Sequence, residues 1–336
     1  MAFYNLLASQ AQWAKLRVDI TFLGTSSGVP TRARNVSSVA VRLPQQAEVW
    51  LLDCGEGTQH QLLRSEIRSS QIRRIFITHM HGDHIFGLMG AIASSGLAGK
   101  AQQIDIYGPP ELPQYLETSA KCSYINFGSR LRVHRVKPGV VYEDDRFVVS
   151  CQLLKHRIPA YGYRISEKDR PGRFDIEKAQ SLKIPPGPIY GKLKQGQTIT
   201  LEDGRKIDGK QLCGEPEVGR TIAYCTDTVF CDAAVELAKD ADVLIHEATY
   251  AHQDAEMAFE RLHSTSTMAA QVALLAGVKQ LIMTHFSPRY APGNNLQLND
   301  LKQEARAIFP NTKLAYDFFN YEIPRRRDKK QVVSSK

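Results

Sequence analysis

The 336-residue sequence holds no run of about 18 apolar residues, the length a membrane-spanning helix needs, so no bilayer span is expected. It has six cysteines, at positions 54, 122, 151, 213, 225 and 231, and no Cys-x-x-Cys pair among them. Scattered thiols argue against a disulfide-stapled secreted domain and against a thiolate zinc site; reduced thiols are expected. Met1 to Arg17 lacks acidic residues, a long apolar stretch and a small-residue cleavage pattern. A secretory signal is therefore not expected there; a transit peptide stays open, although Ser and Arg are sparse. The cytoplasm is the expected compartment, with a plastid as the alternative. An excess of acid is also missing. The net charge is +8, which suits a polyanionic partner without identifying one. Much of the excess sits in Arg325-Arg326-Arg327-Asp328-Lys329-Lys330, whose plain reading is a solvated, disordered end.

What the chain does have is a recurring pattern: an apolar strand, then a His or Asp at its C-terminal end. Ile72-Arg73-Arg74-Ile75-Phe76-Ile77-Thr78 reads as a buried strand. It runs into His79-Met80-His81-Gly82-Asp83-His84, three imidazoles and a carboxylate within six residues. The segment Phe147 to Lys155 ends at His156. Thr221 to Thr226 ends at Asp227, Val243 to Ile245 runs into His246 and Glu247, and Gln280 to Thr284 ends at His285. One such histidine is as well explained by a satisfied core position. Recurrence at strand ends is where open α/β folds place ligand sites. The first cluster offers more nitrogen and oxygen than one zinc needs, which points to two metals. Asp227 also reads as a helix cap for the segment after it.

Val18 to Gly24 reads as a first strand, and Val39–Leu43 with Val49–Gly55 as a hairpin-like pair. Ile104 to Gly108 reads as another strand, stopped by Pro109-Pro110. Helices are expected over 59–65, 87–97, 231–239 and 266–276. The segment 166–219 is rich in charge, Gly and Pro, including Pro185-Pro186-Gly187-Pro188. It reads as an insertion projecting from the core and not as a second folded domain.

These residues resemble a family. His79-x-His81-x-Asp83-His84 is similar to the signature of the metallo-β-lactamase superfamily. Pro30-Thr31-Arg32-Ala33-Arg34-Asn35, His246-Glu247-Ala248-Thr249 and His263-Ser264-Thr265 resemble motifs of the tRNase Z family. Pro185-Pro186-Gly187-Pro188, followed by Tyr190 and Lys192, resembles the motif of that family's projecting arm. The likeness runs from about Val18 to Pro324 and matches the short form. It implies a four-layer αββα metallo-β-lactamase sandwich over 18–324 with an arm at about 166–219. A 1–17 extension and a 325–336 basic tail stand outside the pattern.

The resemblance further implies removal of the 3′ trailer from precursor tRNA, two Zn²⁺ per subunit and a homodimer. Chemistry and family agree on the ligands. His79, His81 and His156 would hold one ion, and Asp83, His84 and His285 the other. Asp227 would bridge the two. Nitrogen and oxygen donors without thiolate suit Zn²⁺, with Mn²⁺ or Fe²⁺ as competitors. Asp83 would also orient and deprotonate water. His263 would protonate the leaving oxygen, held in its tautomer by Glu247. Arg32, Arg34 and Asn35 would contact nucleotides near the cut. Gly187, Pro188, Tyr190, Lys192 and Lys194 would hold the tRNA through the arm. The rivals are another hydrolase of the superfamily, acting on small phosphodiesters or thioesters, and a non-catalytic RNA-binding protein with a structural metal.

Overall fold

The computed structural model describes residues 17–97, 103–127 and 130–325. The extension through Leu16 and the tail after Arg325 lie outside them. One compact unit comprises the described residues up to Tyr142, Val149–Ile165 and Thr221–Ile323. The other comprises Glu143–Val148, Ser166–Arg220 and the chain from Pro324.

The first unit is organised by two seven-stranded sheets. The first sheet contains β1 (Asp19–Gly24), β2 (Ser38–Leu43), β3 (Glu48–Leu52), β4 (Ile72–Phe76), β5 (Ile104–Gly108), β6 (Leu131–Arg135) and the late strand β16 (Asn320–Glu322). Their order is β16-β1-β2-β3-β4-β5-β6. The second contains β7 (Gly139–Glu143), β8 (Phe147–Leu154), β9 (Ala160–Glu167), β12 (Thr221–Cys225), β13 (Val243–Glu247), β14 (Leu281–Thr284) and β15 (Thr312–Leu314), in the order β15-β14-β13-β12-β9-β8-β7. Strands β3 to β6 run parallel to one another, and so do β12 to β15, while β2 and β3 are antiparallel. The central strands β12, β13 and β14 are buried along their whole length, as parallel strands covered on both faces are.

Alternation along β3 shows the layering. Val49 and Leu51 point to an outer core with Leu62 of the helix Thr58–Leu63, Leu88, Ala91 and Ile92 of Leu88–Leu97, and Leu112 and Leu116 of Leu112–Cys122. Trp50 points the other way and meets Phe76, which packs on Tyr163 of the second sheet at 5.4 Å. Tyr163 Oη donates to the Ile77 carbonyl at 2.8 Å, so the sheets are also pinned by a buried hydrogen bond. The outer face of the second sheet is covered by the helices Asp232–Ala238, Ser266–Leu275 and Leu298–Ile308. They present small alanines such as Ala234, Ala270 and Ala305. Small side chains let the helices sit close to the strands. The four-layer αββα sandwich is thus present.

The expected elements appear with ends moved by up to three residues, as frayed termini do. The strands β6, β7, β9, β15 and β16 and the helices Leu112–Cys122, Ala255–Arg261 and Leu298–Ile308 went unread in the sequence. All six cysteines are free, as expected. The second unit departs from its sequence reading. It contains a core of its own, in which Phe174, Ala179, Ile184, Tyr190, Leu193, Leu201 and Leu212 are buried. These residues stand singly among Gly, Pro and charge, so no apolar run announces them. The unit also holds the helices Ile176–Ser181 and Pro188–Lys194, and the antiparallel pair of β10 (Thr198–Thr200) with β11 (Lys206–Asp208).

Candidate dinuclear metal centre

The strand ends of the first unit converge. β4 is followed by the His79–His84 loop, β8 by His156, β12 by Asp227, β13 ends in Glu247 and β14 is followed by His285. Because β12, β13 and β14 are parallel neighbours, Asp227, Glu247 and His285 leave from one edge of the sheet. Three residues there have left-handed backbone: Asp53 at φ 60°, Asp227 at 52° and His285 at 58°. Such conformations cost non-glycine residues about 1–3 kcal/mol and concentrate where a side chain must be aimed. Here they turn three side chains off the ends of their strands.

Three overlapping groups of donors form. The ligating atoms of His79, His81, His156 and Asp227 lie within 4.8 Å of one another, and so do those of Asp83, His84 and His285 and those of Asp227, His263 and His285. Asp227 faces the first two groups. Its Oδ1 is 3.2 Å from His84 Nε2 and 3.2 Å from His285 Nε2. Its Oδ2 is 3.5 Å from His79 Nε2 and 3.8 Å from His156 Nε2. The helix-cap reading of Asp227 does not hold, since Cys231 precedes the helix Asp232–Ala238.

Hydrogen bonds at the far side of each ring set the tautomers. His79 Nδ1 meets Thr78 Oγ1 at 3.0 Å, and His84 Nδ1 meets Asp53 Oδ2 at 2.8 Å. His156 Nδ1 donates to the Leu262 carbonyl at 2.9 Å, and His285 Nδ1 meets Thr249 Oγ1 at 3.0 Å. Thr78 and Thr249 give their own protons to Asp53 and Glu247, so each hydroxyl is left to accept from its histidine. Four rings therefore turn an unprotonated Nε2 inward. His81 does the reverse and presents Nδ1, 3.0 Å from His79 Nε2 and 3.3 Å from His156 Nε2.

This donor set fits divalent metal ions. His84 Nε2 is buried without a hydrogen-bond partner, yet it faces oxygens of Asp83 and Asp227. A lone pair among carboxylate oxygens calls for a positive charge between them. The same demand shows in the ring itself. Burial pulls the His84 imidazole down, and Asp227, Asp83 and Asp53 override it and hold it well above the usual range. Burial pushes the Asp83 carboxyl up, but the His84 and His285 rings outweigh it and keep it far below the ordinary carboxylate range. Asp227 is held low in the same way, by His285, His84 and His79 against burial.

Beside the centre stands the pair His263–Glu247. Glu247 is fully buried and its two oxygens are saturated. Oε1 accepts from Thr228 N at 2.7 Å and meets His263 Nδ1 at 2.9 Å. Oε2 accepts from Thr249 Oγ1 at 2.6 Å and Ser264 N at 3.0 Å. Glu247 thus orients His263 directly and His285 through Thr249. His263 Nδ1 lies 4.0 Å from Asp227 Oδ2, but its proton is engaged with Glu247, which leaves Nε2 as the working nitrogen. Burial lowers the His263 imidazole, and the adjacent Glu247 more than reverses this, pushing it up to about 9.

The sequence reading missed Asp53. It is fully buried and accepts from Thr78 N at 2.8 Å, from Thr78 Oγ1, from His84 Nδ1 and from Tyr224 Oη at 3.0 Å. It fixes His84 directly and His79 through Thr78. The one signal was an acid following the apolar run Val49–Leu52, without a second histidine or carboxylate beside it.

The expected substrate contacts divide. Arg32 is exposed. Arg34 is not free to reach a nucleotide: its Nη1 donates to Thr25 Oγ1 at 2.7 Å and to the Ala315 carbonyl at 2.9 Å, and it lies over Phe286. Asn35 gives its N–H to Asp317 at 2.7 Å and its amide to the Glu56 carbonyl at 2.7 Å. Both shape the loop, whose Gly28 N–H reaches Asp83 Oδ2 at 2.8 Å. In the second unit Gly187, Pro188 and Lys192 are exposed and Lys194 is half-buried. Tyr190 instead belongs to the unit's core, with its Oη on the Ile184 carbonyl at 3.0 Å. Its ring packs against Phe174 with centroids 5.2 Å apart.

The geometry has relatives. Residues 18–143 match the family model described as anti-Pycsar protein Apyc1, and residues 215–286 match the β-lactamase superfamily domain. Ribonuclease Z of Microcystis aeruginosa is 74% identical over 310 residues, spanning 92% of this chain and 98% of the relative. Ribonuclease Z of a Nostoc species is 69% identical over 311 residues, spanning 93% and 97%. The crystal structure of human tRNase Z, short form, matches with a TM-score of 0.65 at 31% identity and covers 91% of this chain and 99% of that one. A long-form RNase Z from yeast shares the fold, with a TM-score of 0.63 at 18% identity over 92% of this chain and 42% of that one. The chain belongs to the ribonuclease Z family of hydrolytic nucleases, built on the metallo-β-lactamase fold.

Proposed function

We propose that the chain is a zinc-dependent endoribonuclease that removes the 3′ trailer from precursor tRNA. It leaves a 3′-OH on the tRNA and a 5′-phosphate on the trailer. The observation that carries the reading is the His263–Glu247 pair beside the seven-residue donor set. A binding module with a structural metal has no use for an imidazole that a buried carboxylate orients beside its ligands.

His79, His81 and His156 would hold one zinc ion and Asp83, His84 and His285 the other, with Asp227 shared. When bound, the two ions would acidify a water and neutralise charge on the phosphodiester. The chain's own groups do the rest. Asp83, pinned by Gly28 N–H, orients the water that attacks phosphorus and takes up its proton. Its low affinity for that proton makes orientation the larger part of its work. As the bond from phosphorus to the ribose 3′-oxygen breaks, His263 Nε2 gives that oxygen a proton, and Glu247 stabilises the imidazole throughout. Exposed Arg32, Gly187, Pro188 and Lys192, with Lys194, would position the RNA by its backbone and shape. The active species is a homodimer with two zinc ions per subunit.

Cleavage of a precursor tRNA bearing a 3′ trailer, with and without chelator, tests the reading. Asp83→Ala and His263→Ala should each lower kcat by roughly 100-fold or more. His263→Ala should keep its full metal content. Metal-loaded protein that binds the precursor and leaves it whole would overturn the proposal. Size-exclusion chromatography with light scattering should report twice the 37.6 kDa of one chain.

A further inference from the structure

A second charged cluster, in the smaller unit, takes no part in the hydrolysis above. Its centre is Glu167, whose side chain is 3% exposed. Arg220 Nε donates to Glu167 Oε2 at 2.8 Å, Arg170 pairs with Oε1, and Arg146 Nη2 lies 3.9 Å from Oε1. Arg325 pairs with Glu217, whose backbone exchanges hydrogen bonds with Arg170 at 3.0 and 2.8 Å. Gly219 makes the approach possible, because a Cβ there would stand 1.7 Å from the Glu167 carbonyl oxygen. Four guanidinium groups are thereby gathered around two carboxylates.

Other charges stand nearby: Lys168 and Glu143 pair with each other at 2.6 Å, Asp169 accepts the Gly219 N–H at 2.8 Å, and Asp144 accepts the N–H groups of Arg146 and Phe147 at 2.7 Å. What the cluster lacks is acceptors at particular donors. The shortage is visible atom by atom. Arg220 Nη2 and Arg325 Nη2 are buried donors without a hydrogen-bond partner, and the Arg220 side chain is 2% exposed. A buried charged donor left unpaired is costly, and buried polar groups are ordinarily satisfied. Burial, together with Arg146, Arg325 and Arg220, also weakens the hold of Arg170 on its proton, against the pull of Glu167. Access is open, since Arg146, Arg170 and Arg325 keep 25%, 22% and 27% of their side chains exposed.

We propose that Arg146, Arg170, Arg220 and Arg325 form an oxyanion site that takes a phosphate group. Its oxygens supply acceptors for the unpaired guanidinium N–H groups, the recognition for which arginine is suited. The group comes either from free phosphate or from an RNA backbone.

Calorimetric titration of inorganic phosphate into the metal-loaded full chain tests this. Arg220→Gln is unsuitable alone, because it orphans buried Glu167 and is expected to unfold the unit. The partly exposed Arg146→Gln/Arg325→Gln double variant serves instead. The wild type should bind one more phosphate per chain than the double variant, or bind it at least tenfold more tightly. Phosphate at the metal centre is common to both proteins and drops out of the difference. Identical isotherms would overturn the site. A precursor-tRNA arm separates the sources. A raised KM at constant kcat assigns an RNA phosphate, and an unchanged KM with the phosphate difference intact assigns the free ion. The titration needs no nuclease activity, so it stands even if the proposed reaction fails.

Discussion

Four histidines in the centre spend Nδ1 on a neighbour and turn Nε2 inward, and Asp53 secures the two that follow β4. Removing a group that orients a metal ligand usually costs about 10–100-fold in metal affinity. Asp53→Ala is accordingly expected to weaken metal binding by roughly that factor, read by competition with a chromophoric chelator. A wild-type affinity in that variant would mean the rings are aimed by packing alone. The proton inventory predicts a pH profile. His263 is raised to about 9, so its acid form is complete below its unperturbed value and lost as pH rises through the raised one. Cleavage should therefore fall on the alkaline side, and bound cations would draw that limb below pH 9. Glu247→Gln removes the charge that raises the value, so the limb should move further toward neutrality. A limb that stays in place in Glu247→Gln would assign it to another group.

At the scale of elements, the loop after β4 is held from outside itself. A Cβ on Gly55 would stand 2.2 Å from the Asp83 carbonyl oxygen, and one on Gly87 would stand 2.0 Å from the Gly55 carbonyl oxygen. These obstacles are backbone, which cannot swing away. Gly55→Ala should destabilise the fold by about 1–3 kcal/mol and displace the Asp83 loop, lowering both the urea midpoint and kcat. The loop from Thr25 to Val36 is held likewise. Asp317 accepts from Thr25 Oγ1 at 2.8 Å, Asn35 N at 2.7 Å and Gln61 Nε2 at 2.8 Å. Asp317→Ala should raise amide exchange across that loop, Gly28 included, and lower kcat through Asp83. Unchanged exchange there would show that Arg34 suffices as the clamp.

For the whole molecule, the second unit invites excision. Arg170 and Glu217 exchange backbone hydrogen bonds, so a short linker can join the chain across 171–216 without stretching it. The shortened protein should still hydrolyse small phosphodiesters, while its KM for precursor tRNA rises by roughly tenfold or more as backbone contacts are lost. Full retention of tRNA cleavage would remove the arm from the proposed function. The ligand cluster was legible in the sequence because metal chemistry admits few residue types and places them at strand ends. The alternating strands were legible because burial has a period of two. Arg34, Asn35 and Tyr190 were not, because a polar or aromatic side chain looks the same in sequence whether it faces a ligand or its own fold. Asp53 was hidden for a related reason: its partners Thr78, His84 and Tyr224 are 25 to 171 residues away. The sequence by itself determined which atoms are available and where along each strand they fall. The tertiary structure alone decided which nitrogen of each ring points inward and which carboxylates stand behind it, because those choices rest on hydrogen bonds that exist only after the sheets pack.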